Sequence, residues 1–82
     1  MSEKKERNIA IAIKVLNGAS YAKVGKEYGI NGTRVWQIFF RVCLRAVHRG
    51  GLRDKLPEEW YHIKNARQHK ELIIKAIEEV WR

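Results

Sequence analysis

Apolar residues recur at intervals of three and four along most of the chain, which is the pattern of amphipathic α-helices. The first such segment covers residues 4–17, and the second covers residues 21–28 after Ser20, whose hydroxyl suits an N-cap. A third segment covers residues 32–49 and follows a further N-cap candidate, Asn31. The pattern therefore predicts three successive helices with short connections in the first part of the chain.

A C-terminal helical extension is predicted for residues 52–82. Pro57, followed by two glutamates, favours the start of a short fourth helix that carries Trp60. Asn65 and Gln68 resemble a capping pair, so a fifth helix is predicted to begin there, although one continuous helix is an open alternative. The expected fold class is all-α, with four to five helices: residues 1–51 form a three-helix core, and the extension packs on it or mediates dimerisation.

The connection between the second and third helices has the features of a helix-turn-helix. Gly29 can adopt the positive φ that a tight turn needs, and Ile30 then points back into the core. On a helical wheel, one face of the third helix is apolar and consists of Val35, Ile38, Phe39, Val42, Cys43 and Ala46. The first turns of this helix carry polar groups on the opposite side. In a helix-turn-helix this second helix enters the major groove of DNA.

The outward side chains have the chemistry for contacts with DNA. Amide and guanidinium groups form paired hydrogen bonds with adenine and guanine, and threonine can donate to a base or contact a thymine methyl group. The candidate base-reading residues are Asn31, Thr33, Arg34, Trp36, Gln37 and Arg41. Phosphate contacts hold such a motif in register, and the candidates for them are Ser20, Tyr21, Lys23, Lys26 and Arg45.

The charge of the chain favours a polyanionic partner, since the net charge is +8 and the isoelectric point is near 10.0. Residues 1–53 contain eleven Lys and Arg against three Glu, whereas residues 54–82 contain six basic and six acidic residues. The whole excess therefore lies in the segment that contains the predicted motif. A generally basic, soluble surface would not predict this segregation. For a basic domain of this kind we expect nucleic acid as the partner rather than an acidic membrane surface.

Large apolar residues on the third helix, Phe40 and Leu44, lie opposite the core face, where they should not contact water. Two kinds of cover remain open: the C-terminal extension of the same chain, or a second subunit in a homodimer. For Trp36, two contacts likewise remain open: contact with DNA, or packing against the C-terminal extension. The residues assigned to C-terminal packing or dimerisation are Phe40, Leu44, Trp60, Ile73, Ile77 and Trp81.

Enzyme activity, a metal site and a cofactor are not expected. The three histidines lack the spacing of a metal-binding pair on one helix face, and the chain has no nucleophile–base pair or phosphate-binding glycine loop. The single cysteine, Cys43, excludes an internal disulfide and suits the core. No signal peptide or membrane-length apolar run is visible, so the expected compartment is the cytoplasm, without a membrane partner.

The stretch VGKEYGINGTRVWQI, with Arg41 and Leu44-Arg45 after it, resembles the helix-turn-helix of sigma-70 region 4, which binds the −35 promoter element. The shared positions are Val24, Gly25, Gly29, Ile30, Arg34-Val35, Gln37-Ile38 and the trailing Leu-Arg. The resemblance implies groove-facing residues at Gly32, Thr33, Trp36, Gln37 and Arg41. The first three depart from the Arg and Glu that sigma factors carry, so the resemblance concerns the motif and its docking mode.

These observations predict a sequence-specific double-stranded DNA-binding protein, a small stand-alone transcription regulator of bacterial, phage or plasmid origin. One alternative is a DNA-recognition subunit of a larger machine, such as a small terminase subunit or a transposase or recombinase targeting domain. Another is a sigma region 4 mimic that binds RNA polymerase or a sigma factor. The segregated charge favours the two DNA-binding functions.

Overall fold

A computed structural model of the chain, which describes residues 2–81, contains five α-helices and no strand within that range. The predicted all-α fold is confirmed, and the second and third helices have the predicted bounds. Of the two alternatives left open for the C-terminal extension, the structure shows separate fourth and fifth helices. The helices are α1 Ser2–Leu16, α2 Tyr21–Tyr28, α3 Gly32–Arg49, α4 Ile63–Gln68 and α5 Lys70–Trp81.

Local side-chain chemistry explains the bounds of α2 and α3. The Ser20 hydroxyl accepts a hydrogen bond from the Lys23 amide at 3.1 Å, and the Asn31 side-chain oxygen accepts one from the Arg34 amide at 2.8 Å. Gly29 ends α2 in the left-handed conformation, with φ of 69°. Both predicted N-caps and the predicted turn are therefore present.

The third helix is the centre of the fold, because α1, α2 and α5 all pack against it. α5 runs antiparallel to α3: the Trp81 indole donates a hydrogen bond to the Val42 carbonyl at 3.1 Å, while Ala76 lies beside Gly50. The six residues predicted for the apolar face of α3 are all buried, and burial raises the pKa of the Cys43 thiol. One buried cluster contains side chains from residues 1–51 and from the extension.

The predicted helix start at Pro57 is wrong. Residues 57–62 form turns, in which the Trp60 amide donates to the Pro57 carbonyl at 3.1 Å. Trp60 is buried by stacking on Phe40, and this contact keeps the segment against α3 instead of in a helix of its own. Tertiary packing of one large aromatic residue has overridden a favourable local helix signal.

The capping role predicted for Asn65 is also wrong, because α4 already begins at Ile63. The Asn65 side-chain amide instead donates to the Glu59 carbonyl at 2.9 Å, which ties the turn to the helix that follows it. The break between α4 and α5 falls at His69, whose amide donates to the carbonyl groups of Asn65 and Ala66.

The cover over Phe40 comes from the same chain, from the turn segment before α4. Trp60 stacks on the Phe40 ring, and Tyr61 packs edge-on against it with centroids 6.1 Å apart. Leu44 is half-buried against the core, as is Trp81, and both Ile73 and Ile77 are fully buried. A homodimer is therefore not needed to shield Phe40, and dimerisation stays a prediction.

Within residues 2–81, no helix combines the length and the apolar character that crossing a membrane requires.

Candidate nucleic-acid interface

The first three turns of α3 present a continuous polar face to solvent. Thr33, Arg34, Gln37 and Arg41 are all exposed, whereas Val35 and Ile38 between them are buried. Because an α-helix repeats every 3.6 residues, these four side chains project from one side of the helix. The structure therefore brings together four of the six candidate base-reading residues.

Arg34 and Gln37 are neighbours one turn apart on this face. The distance from Arg34 Nη1 to Gln37 Oε1 is 3.5 Å, at the long limit of a hydrogen bond, so little energy is needed to separate them. Asn31 has a different position, because its Oδ1 already accepts the amide of Arg34 as the N-cap. The cap orients Asn31 along the start of α3 and uses the oxygen that a paired contact with adenine would need.

Trp36, the sixth candidate, lies at the edge of the polar face and packs within the chain as well. Its ring stacks on Phe40 at an angle of 11°, yet 43% of the residue remains exposed. This position allows Trp36 to pack against the extension, and it also allows contact with an external ligand. The stack immobilises the indole, so a ligand would meet a fixed aromatic surface.

Four of the candidate phosphate contacts lie on α2 or at its N-cap, and α2 packs against α3. Lys23 and Lys26 are exposed, and the Ser20 hydroxyl acts as the α2 cap. Tyr21 is only half-exposed, because its ring packs against Phe39 with centroids 6.2 Å apart. Burial raises the pKa of the Tyr21 hydroxyl, and the nearby Arg67 partly opposes the shift, so this group stays a neutral hydrogen-bond donor.

Arg45 is held at the far end of α3 by the last helix. Its guanidinium lies over the Trp81 ring, 4.7 Å from the centroid, and Trp81 is itself fixed by its bond to Val42. The side chain remains exposed. Arg45 therefore extends the cationic edge of α3, although it lies two turns beyond Gln37 and away from the lysines of α2.

Among the residues that the structure describes, no carboxylate forms a salt bridge with these cations. Glu27 is the only acidic residue between positions 7 and 53, and its carboxylate lies 2.7 Å from the Lys14 ammonium. The hydrogen bond to Lys14 lowers the pKa of Glu27, and the same bond raises the pKa of Lys14. The surface of α2 and α3 is therefore positive, with its single carboxylate neutralised by a neighbour on α1.

Sequence analysis missed one residue that supports this surface, Arg67 of α4. Its guanidinium donates to the carbonyl oxygens of Val15 and Ala19, both at 3.0 Å, and so fixes the connection that leads into Ser20 and α2. The two partners precede Arg67 by 52 and 48 residues. No local pattern in the sequence could indicate contacts over such a separation.

No three His, Cys, Asp or Glu side chains lie close enough to hold a metal ion in the described part of the chain. Comparisons of the chain with protein-family models, with curated proteins and with solved structures found no match.

Proposed function

We propose that the protein is a small transcription regulator that binds double-stranded DNA sequence-specifically, with α2 and α3 as a helix-turn-helix. The observation that carries the proposal is the exposed polar face of α3, which is formed by Thr33, Arg34, Gln37 and Arg41. The helix that packs against α3, α2, carries two exposed lysines. A helix with this face fits the width of the major groove, where amide and guanidinium groups can distinguish base pairs.

In this arrangement the two helices have different tasks. Gln37 forms paired hydrogen bonds with a base edge, while Arg34 and Arg41 reach guanine or the adjoining phosphates. Lys23 and Lys26 neutralise phosphates beside α2 and set the register of α3 without reading sequence. The unopposed positive charge of both helices supplies attraction to any duplex, and the α3 side chains add selectivity.

A DNA-recognition subunit of a larger assembly would use the same surface, and its oligomeric state separates it from a regulator. Measurement of mass in solution, with and without a target duplex, would give a monomer or dimer for the regulator and a closed ring for a packaging subunit. A sigma region 4 mimic would bind RNA polymerase and show no preference among duplexes.

The direct test is selection of binding sites from random duplexes, followed by the Gln37→Ala variant. We expect Gln37→Ala to weaken binding to the selected site by about 1–3 kcal/mol and to relax the preference at one base pair, because a paired contact is lost. Gln68→Ala, at an exposed position on α4, is the matched control and should keep the full preference. An unchanged preference in Gln37→Ala would refute the assignment of this residue.

Lys23→Ala and Lys26→Ala should weaken binding to every duplex by similar factors and leave the ranking of sites intact. Each variant should reduce the slope of log affinity against log salt concentration by about 1, because one phosphate contact and its released counterion are lost. Lys64→Ala removes the same charge from an exposed site on α4 and controls for net charge. If Lys64→Ala changes the slope as much, the phosphate contacts are not localised on α2.

A further inference from the structure

Three aromatic rings form a parallel row that starts on the exposed face of α3 and ends in the core. The rings of Trp36 and Phe40 are 5.5 Å apart at an angle of 11°, and those of Phe40 and Trp60 are 6.1 Å apart at 2°. Tyr61 closes the side of the row, edge-on to Phe40 and Trp60. Trp60 is the buried end of the row and Trp36 is the exposed end.

The exposed end of the row lies in an open cleft between the start of α2 and the start of α3. The cleft has a volume of about 590 Å³ and is lined by Ser20, Tyr21, Ala22, Gly32, Thr33 and Trp36. Phe40 follows Trp36 by one helical turn and covers one side of the indole, while Gly32 precedes it by one turn. The turn before Trp36 holds Gly32, which has no side chain, and Thr33, whose side chain is short, and 43% of Trp36 remains exposed.

The fold itself does not require a glycine at position 32. A Cβ atom built there would lie 3.7 Å from the Cβ of Tyr21, which is an ordinary contact, and Gly32 is not among the residues with positive φ. Alanine at this position would also have less backbone freedom to lose on folding than glycine. The nearest atoms to a Cβ at position 32 belong to Tyr21 and Ala22, so a larger side chain there would enter the cleft that these residues line.

We propose that this cleft binds a nucleobase outside the duplex stack, which lies on Trp36 and continues the row of rings. The inference rests on the proposed DNA binding and specifies the part of the DNA that the cleft takes: an unpaired nucleotide at a single-stranded end or junction. A planar ring matches the flat surface of the indole, and stacking on an aromatic side chain is how proteins bind unpaired bases. Acidic side chains, which would repel the adjoining phosphates, are absent from the lining residues.

The experiment compares a blunt duplex with the same duplex carrying a short overhang of deoxyadenosines, and with an overhang of the same length made of abasic sites. We expect the adenosine overhang to raise affinity about tenfold over the blunt duplex, given the energy of one base stacked on an aromatic ring. The abasic overhang, which offers only sugar and phosphate, should raise it far less. Tryptophan fluorescence should be quenched more strongly by the adenosine overhang than by the blunt duplex or the abasic overhang.

Variants at the cleft test whether the open indole face is the site. Gly32→Leu places a side chain in the cleft that Gly32 lines and should reduce the ratio of overhang to blunt affinity to about one, whereas Gly32→Ala should keep this ratio. Trp36→Leu should lose the ratio, and Trp36→Phe should retain most of it because a ring remains. Circular dichroism of each variant verifies that it is folded, and using a ratio within one variant removes any change in binding to the duplex itself.

The outcomes separate this inference from the proposed function. Equal affinity for blunt and overhang duplexes, or an equal gain from the abasic overhang, overturns the cleft assignment and leaves duplex binding standing. If the ratio of overhang to blunt affinity is unchanged in both Gly32→Leu and Trp36→Leu, the cleft assignment is also overturned. Absence of binding to every one of these duplexes overturns both.

Discussion

The substitution Gly25→Ala is expected to lower the free energy of unfolding by about 3 kcal/mol, the upper end of the usual cost of overpacking. Gly25 is buried in α2 where the chain turns towards α3, and an added Cβ would collide with the backbone carbonyl oxygen of Ile30. It would also lie 3.3 Å from the carbonyl carbon of Asn31. Both neighbours are backbone atoms, so no side-chain rotation can relieve the clash.

Hydrogen bonds make this close approach rigid. The Gly25 carbonyl accepts the amides of Gly29 and of Ile30, the latter at 2.9 Å, so the turn cannot move away from α2 without losing them. A displaced turn would also shift Asn31, the cap of α3, and with it the polar face. We therefore expect Gly25→Ala to weaken binding to DNA as well as to lower stability.

The matched control is Gly32→Ala, the same substitution seven positions further along. Its Cβ makes only ordinary contacts, so the loss of backbone freedom in the unfolded chain should raise the free energy of unfolding by about 0.4–1 kcal/mol. Urea denaturation followed by far-ultraviolet circular dichroism measures both variants. Similar stability changes in the two proteins would contradict the close packing described at Gly25.

Replacement of Arg67 by methionine is expected to lower the free energy of unfolding by about 2–3 kcal/mol. The guanidinium donates to the Val15 and Ala19 carbonyls at 3.0 Å each, and a methionine of similar length fills the space without donating. Both carbonyls would then need water in a half-buried site. The connection into Ser20 would also loosen, because Arg67 is the side chain that joins it to α4.

Lys64→Met on the same short helix is the control, because Lys64 is exposed and its loss should leave stability almost unchanged. Arg67→Lys should recover only part of the loss, since a single ammonium lacks the fork that reaches two carbonyls at once. Denaturant unfolding gives the stabilities, and amide hydrogen exchange of Lys23 and Val24, whose amides donate to Ser20, reports on the start of α2. Equal stability of the Arg67→Met and Lys64→Met proteins would show that the hydrogen bonds of Arg67 do not contribute to the free energy of unfolding.

The elements that the sequence predicted correctly depend on neighbours within a few positions. The cap at Ser20 binds an amide three residues away, as does the cap at Asn31, and the turn at Gly29 requires only its own φ. Helical periodicity likewise assigned the buried face of α3, because burial follows from the spacing of apolar residues along one helix. The exposure of Gln37 and Arg41 on the opposite side was predictable for the same reason.

The errors and omissions concern contacts between distant parts of the chain. Pro57 carries a strong local helix signal, yet no helix begins there. The stacking of Trp60 on Phe40, which lies 20 residues earlier, stabilises the segment more than a local helix would. The contacts of Arg67 and the indole hydrogen bond of Trp81 join positions separated by 39 to 52 residues. The open end of the aromatic row exists only because α2, α3 and the turn segment meet, and no single segment encodes it.

The sequence by itself determined where α2 and α3 begin and end, which side of α3 is buried, and that the positive charge lies in the first 53 residues. Short-range hydrogen bonds and periodicity decide these features, so local reasoning was sufficient. The tertiary structure alone decided what covers Phe40, how Arg67 holds the entry to α2, and which face of Trp36 stays open. These features depend on the free energy of packing between segments, where large aromatic and guanidinium groups outweigh local propensity.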